Sequence, residues 1–238
     1  MKRPHREDPG ADPDDFSLER LLPRLLKRQP VQARSRALVG AILTAFDQML
    51  RQSSDERQIT LETLVERAGV GIGSFYEYFS NKDALIGALV EKATRDNFDD
   101  LLRNADAAPD RSFETVVRGV GVSVAETYLR HPARTRTLIA GIGKLGLLGL
   151  VVRERDRFAD RIAVVAHRYL PHETMPSLET TMRFVADACM GVVSGKLYRR
   201  TPGDDRTFES IDVEEAGVEL FELAMAIIRA RHDLSAAR

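Results

Sequence analysis

The sequence contains a single cysteine, Cys189, among 238 residues. No intrachain disulfide can form, and the expected compartment is a reducing one, the cytoplasm. Long apolar runs are missing too. The longest stretch without a charged side chain runs from Ala37 to Phe46, well short of the roughly 20 apolar residues a membrane-spanning helix needs. Residues 1–15 are polar and carry prolines, without the apolar core of a secretory leader. No membrane partner is expected. Net charge is nearly absent as well: 35 Lys and Arg stand against 36 Asp and Glu, giving −1. Such a chain does not coat nucleic acid along its whole length, although a local basic face stays open.

Other signals are absent. There is no sustained period-two alternation and no Asn-Gly hairpin, so strands are not expected. No internal repeat is evident. There is no Gly-x-Ser-x-Gly elbow, no Walker-type phosphate loop and no His-Glu-x-x-His pair. The glycines of GVGVSVA and GIGKLG follow no strand, so they fail the context of a dinucleotide site. No catalytic residues and no cofactor are expected. His167 and His172 straddle Pro171, a poor arrangement for two ligands on one helix face, so no metal site is expected. Cys189 lies in an apolar helical pattern and reads as a small, buried, inert residue.

What remains is ordinary in amount and telling in order. Hydrophobic residues make up 43% of the chain, enough to build a real core. Leu38, Ile42, Phe46 and Leu50 recur every four residues, one face of a helix. Thr60 is a fair N-cap for a short helix through Leu61, Leu64, Val65 and Ala68, closed by Gly69. A second short segment carries Ile72, Phe75 and Phe79. Asn81 can cap a long helix with Leu85, Leu89 and Phe98 inside. Phe113 to Tyr128 forms another helix that stops before Pro132, and a glycine-rich stretch with Gly141, Gly143, Gly146 and Gly149 follows. Val151 to Tyr169 marks a long helix, and residues 178–200 and 213–231 give the last two, separated by TPGDDRTFESID. The expected class is all-α with about nine helices.

Charge is uneven along this order. Residues 1–15 look disordered. Residues 16–36 hold Arg20, Arg24, Lys27, Arg28, Arg34 and Arg36 against Glu19 alone. This basic segment reads either as an arm that reaches nucleic acid or as a solvated flank.

Two short helices joined by Gly69-Val70-Gly71 carry the chemistry. A helix-turn-helix needs a tight, glycine-bearing turn so that its second helix crosses the first steeply. Val70 can plug the space between the helices. Phe75 and Phe79, four apart, can anchor the second helix, which turns Tyr76 and Tyr78 toward the edge or solvent. Beside Gly73 and Ser74 they leave a small, hydroxyl-bearing surface suited to phosphates and thymine methyls. Lys82 begins the next helix, where its charge adds to the N-terminal dipole. Glu77 either accepts from a cytosine amine or faces solvent.

Thr60, the Ala68-Gly69-Val70 turn, Gly73, the Phe75-Tyr76 pair, Phe79, Lys82 and Leu85 together resemble the DNA-binding signature of the tetracycline-repressor (TetR) family. The resemblance covers about residues 34–92. It implies an N-terminal three-helix helix-turn-helix DNA-binding domain followed by a larger helical ligand-binding and dimerisation domain. The corresponding division is an arm at 1–29, a DNA-binding domain at 30–82 with the helix-turn-helix at about 60–79, and an effector and dimer domain at 83–238. It implies a homodimer on double-stranded operator DNA, with Gly71, Ile72, Gly73, Ser74, Tyr76 and Tyr78 at the DNA and Thr60 and Lys82 on phosphates. Gly71 stands where many relatives have a serine cap, and the second helix has no Arg, Asn or Gln, the usual base readers. The resemblance further implies an unknown small-molecule effector between the DNA domain and the dimer interface, near Phe98, Phe113, Tyr128, Leu138, Met182 and Phe184. The dimer interface would use the last two helices through Val185, Ala188, Val192, Leu220, Ala224, Ile227 and Ile228.

Overall fold

The computed structural model describes residues 25–53, 56–106 and 111–234. Among these it has nine α-helices: α1 (Ala33–Gln52), α2 (Leu61–Ala68), α3 (Ile72–Tyr78), α4 (Lys82–Asp106), α5 (Phe113–Leu129), α6 (Pro132–Lys144), α7 (Leu148–His167), α8 (Met175–Tyr198) and α9 (Val213–Arg231). The glycine-rich stretch therefore contains a helix that its letters do not advertise. Pro132 sits in the first turn of α6, where its missing N–H costs nothing. Gly141 lets α6 lie hard against α4, since a Cβ there would stand 2.5 Å from Ile86 Cγ2. Gly146, with φ +63°, makes the turn into α7.

The linker TPGDDRTFESID is not wholly irregular. Arg200–Thr201 and Asp204–Phe208 pair as an antiparallel hairpin, β1 and β2. Pro202 and Gly203 form its turn, and Gly203 has the φ of +81° that a type II turn requires. Two and five residues are too few for alternation to register, which is why the expectation of no strand fails here. The Phe208 ring lies between the guanidiniums of Arg136 and Arg200, at 3.5 and 3.7 Å from its centroid.

The N-terminal helices share one core. Ile42, Phe46 and Leu50 of α1 meet Leu64 of α2, Phe75 of α3, Phe79, and Leu85, Ala88 and Leu89 of α4. Leu138 of α6 and Leu147 also join it. A boundary at 82/83 therefore falls at the first turn of a helix whose N-terminal half belongs to this core. Within the expected arm at 1–29, Leu25 and Leu26 are buried and Leu26 belongs to the core. Residues 1–24, with Arg20 and Arg24, lie outside the described residues.

Helices α4 to α9 bury two further clusters. Phe98 and Leu101 meet Val124, Leu129, Phe158, Val193 and Leu220 in one. Phe113, Ala163, Leu178, Met182, Phe221 and Ile228 build the other. Helices α5 and α9 touch backbone to backbone. A Cβ on Gly121 would stand 3.0 Å from the Gly217 carbonyl oxygen and 3.0 Å from the Phe221 nitrogen. Charged contacts join the two parts of the molecule: Asp47 of α1 accepts from Arg51 at 2.7 Å and from the buried Arg134 of α6, and at the surface Lys144 of α6 donates to Asp83 of α4 at 2.8 Å. Burial works to raise the Asp47 pKa, but Arg134 and Arg51 outweigh it and hold the carboxyl below its ordinary value.

Candidate nucleic-acid interface

Local chemistry sets the helix-turn-helix. Thr60 caps α2, its Oγ1 accepting from the Thr63 N–H at 3.2 Å. Gly69, with φ +67°, ends the helix, and the Gly69 and Val70 N–H groups return to the carbonyls of Glu66 and Val65. Val70 packs on the core from the turn. Gly71 then caps α3 through its backbone alone, its carbonyl accepting from Ser74 at 2.9 Å. The expected cap at Thr60, helix end at Gly69 and apolar plug at Val70 are all present.

Helix α3 is seven residues long, too short to hold itself in water. Its inner face does the holding. Phe75 and Phe79 are buried and stacked, ring centroids 5.4 Å apart. Tyr76 meets Phe75 edge-on at 5.4 Å. Tyr78 is buried, 5% exposed, and belongs to the core. The expectation places it at the DNA, whereas here its ring packs in the core. Three residues separate it from Phe75, which puts both on one helical face.

The outer face of α3 presents Gly71, Ile72, Gly73, Tyr76 and Glu77, with Ser74 half-exposed. Ile72 and Tyr76 are 47% and 48% exposed, large values for apolar and aromatic side chains on a folded helix. Nothing lies within 4 Å of a Cβ built on Gly73. The result is a low ledge flanked by a branched aliphatic and a phenol. Glu77 is not simply solvated, because Arg28 donates to its Oε1 at 2.8 Å.

A groove of about 270 Å³ runs beside the ledge. Thr60, Leu61, Tyr76, Ser80, Asn81 and Lys82 border it, over a floor that includes Phe46, Leu64, Phe75 and Leu85. Lys82 Nζ donates to the Ile59 carbonyl at 3.1 Å, which holds the ammonium near the starts of α2 and α4. Asn81 Oδ1 accepts from the Ala84 N–H at 2.9 Å, the cap the sequence implied. Two helix N-termini and a lysine facing one groove are arranged to attract a phosphate.

A second candidate site lies among the helices that follow. A cavity of about 70 Å³ sits between α5, α7, α8 and α9. Its wall includes Phe113, Val117, Val120, Ile162, Met182 and Cys189, all apolar apart from the thiol. Burial pushes the Cys189 thiol up to about 11, so it stays protonated and packs as an apolar group. Of the expected effector residues, Phe113 and Met182 line the cavity. The others do not. Phe98 stacks on Phe158 at 5.2 Å, Leu138 packs in the N-terminal core, and Phe184 stands on the surface, 47% exposed, under Arg231. The Tyr128 phenol is pushed up to about 12, mainly by burial against an opposing hydrogen bond from Asn97.

Three of the expected interface residues, Leu220, Ala224 and Ile228, are buried within the chain and face this cavity. Val185 is half-buried and also lines it. Periodicity marks a buried face and does not say what buries it. Ala188, Val192 and Ile227 remain half-exposed. On α8, Gly191 and Gly195 are exposed with nothing within 4 Å of an added Cβ, so no helix among the described residues packs on them.

Residues 57–89 match the family model described as "Bacterial regulatory proteins, tetR family". The fold is that of solved TetR regulators. A TetR transcriptional regulator from Rhodococcus sp. RHA1 superposes with a TM-score of 0.52 at 19% identity, over 81% of this chain and 96% of that one. A protein from Mesorhizobium loti MAFF303099 assigned to the TetR family of transcriptional regulators gives 0.62 at 13% identity, over 84% and 98%. No curated protein sequence matches. The helix-turn-helix thus carries the likeness in sequence, and the remaining helices carry it in fold. The likeness is to a family of regulatory DNA-binding proteins and not to an enzyme family.

Proposed function

We propose that the protein is a homodimeric, sequence-specific repressor of transcription, acting in the cytoplasm and released from its operator by an uncharged apolar ligand. The observation that carries the reading is the outer face of α3. A seven-residue helix locked by Phe75, Tyr78 and Phe79 exposes Ile72, Gly73, Ser74 and Tyr76 together. Such a ledge reads a major groove by methyl contact, hydroxyl bonding and shape. Thr60 and Lys82, at the neighbouring groove, hold phosphates and fix the register.

Operator geometry favours two copies, because paired reading helices must lie about 34–36 Å apart. The exposed stripe of Phe184, Gly191 and Gly195 on α8, with Ala226 and Ala230 exposed on α9, supports these helices as the dimer face. The ligand class follows from the cavity wall, which offers carbon surfaces and no charged partner. A ligand shifts operator binding only by preferring one of two arrangements of the helices around it.

One observation favours a second reading, a regulator of the same shape without a small-molecule effector. The cavity, at about 70 Å³, is smaller than the roughly 300 Å³ at which ligand pockets begin. A ligand of any size must part the helices.

Selection of duplexes from a random pool by the purified protein tests both readings. Wild type should enrich a two-fold symmetric sequence. Tyr76→Ala and Ile72→Ala should lose that preference while keeping the fold, since both side chains are half-exposed. Unchanged selection by both variants overturns the assignment of α3. Screening apolar compounds for release of the selected duplex then separates the two modes of control.

A further inference from the structure

The recognition helix is held from behind by the chain that precedes α1. Leu26 is buried in the N-terminal core. The Lys27 N–H donates to the Tyr78 carbonyl at 2.9 Å, and Lys27 Nζ donates to the Tyr76 carbonyl at 3.0 Å. The same ammonium stands 5.9 Å from the centre of the Tyr76 ring. Arg28 donates to Glu77 at 2.8 Å. Three successive residues of α3 are therefore gripped from one side. A helix C-terminus leaves carbonyls unsatisfied and carries partial negative charge, so a cation placed there serves both needs.

The other end of this grip leads into the second part of the molecule. Leu25 is buried where α4 carries a glycine. A Cβ on Gly87 would stand 2.6 Å from Leu25 Cδ2 and 3.0 Å from Cδ1 of Leu145, in the turn between α6 and α7. Gly87, Leu25 and Leu145 thus converge on one spot. The path from Leu145 to α3 runs past Gly87 to Leu25, through the turn at residues 25–28, to the hydrogen bonds of Lys27 with the Tyr76 and Tyr78 carbonyls.

We propose that residues 25–28 are a positioning brace, which sets the angle of α3 on DNA and ties it to the α6–α7 turn. Lys27 and Arg28 act through α3 and do not themselves read DNA. The brace rests on the DNA-binding reading above, and it predicts more than that reading does. Basic residues ahead of α1 would otherwise count as phosphate contacts, and the two roles separate in salt.

The test uses the full chain and the duplex that wild type selects from a random pool. Lys27→Met keeps the aliphatic stem and removes the ammonium. It should weaken binding about tenfold, the value of one charge-assisted hydrogen bond. Its salt dependence should stay that of wild type, whereas loss of a phosphate contact lowers the slope by about 0.9. Lys27→Arg should restore affinity. Gly87→Ala should reproduce the loss with residues 25–28 unchanged in sequence, by displacing Leu25. Hydrogen exchange at the α3 amides should quicken in Lys27→Met while thermal unfolding stays near wild type. Wild-type affinity in both Lys27→Met and Gly87→Ala overturns the brace, as does a slope lowered by about 0.9 in Lys27→Met. If wild type selects no duplex, the DNA reading fails, and unchanged exchange at α3 then overturns the brace by itself.

Discussion

The N-terminal helices and the helices that follow bury their apolar residues in different ways. In the first, large rings fill the centre: Phe46, Phe75 and Phe79 are each at most 2% exposed, with Leu85 at 0% beside them. In the second, small residues bring backbones together at Gly121 and Gly217, and a cavity opens beside that crossing. Interlocked rings have one arrangement. A cavity leaves its wall atoms without partners on one side, so other arrangements are close in energy. A rigid reader joined to a yielding sensor suits a switch, because the reader keeps its shape while its placement changes.

The largest expected effect comes from breaking the rigid part. Phe75→Ala should cost about 4 kcal/mol of stability, by removing a ring that stacks on Phe79 and anchors a seven-residue helix. Denaturant unfolding measures it. A loss below about 1 kcal/mol would mean that the N-terminal core is as yielding as the other.

The buried charged contact between the two parts comes next. Asp47→Asn leaves the guanidinium of Arg134 buried without its anion, which should cost about 3 kcal/mol at pH 7. The sign of the pH dependence follows from the depressed pKa of Asp47. Stability from the carboxylate is fully present above the unfolded-state value near 4 and fades as pH falls through the lower folded value. Wild type and variant should therefore differ most at neutral pH and converge in acid. A gap that holds constant to pH 2 would locate the effect outside the carboxylate.

The crossing of α5 and α9 gives a smaller effect of opposite origin. Gly121→Ala inserts a methyl carbon 3.0 Å from two backbone atoms of α9, which cannot swing aside as a side chain would. The expected cost is about 2 kcal/mol by overpacking. The variant should also alter reactivity at Cys189, in the cavity wall. In wild type that thiol, pushed up to about 11, should alkylate at pH 8 roughly 100-fold more slowly than in the unfolded chain. Equal rates would mean that the cavity is open to water.

Legibility in the sequence followed the range of the forces involved. Thr60, Gly69, Gly71 and Asn81 act within four residues, so their roles are written in adjacent letters. Phe75 and Phe79 announce their burial by spacing. Tyr78 misleads because a helix of seven residues has room for two inner rows, and spacing from Phe75 by three is as good as from Phe79's row by four. The cavity was half legible: Phe113 and Met182 were found, while Leu220, Ala224 and Ile228 were assigned to a partner. Burial by one's own chain and by a second copy impose the same periodicity. Residues 25–28 were not legible at all. Their partners lie 49 positions away, and a cation next to a carbonyl leaves no pattern in composition.

The smallest effects sharpen the contrast between the two parts. Thr60 caps α2 at the reading face, and Ser112 caps α5 in the sensing part by the same device, its Oγ accepting from Thr115 at 3.3 Å. Replacing either by Ala removes one N-cap bond, worth about 1 kcal/mol. The two losses of stability should agree within a few tenths, because the local chemistry is the same. Their consequences for DNA should not agree. Thr60 borders the groove with Lys82 and Tyr76, so Thr60→Ala should weaken binding to the selected duplex and lower its salt dependence. Ser112→Ala lies in the other part and should leave both unchanged. If both variants weakened binding alike, stability alone would be limiting, and the division into reader and sensor would lose its meaning.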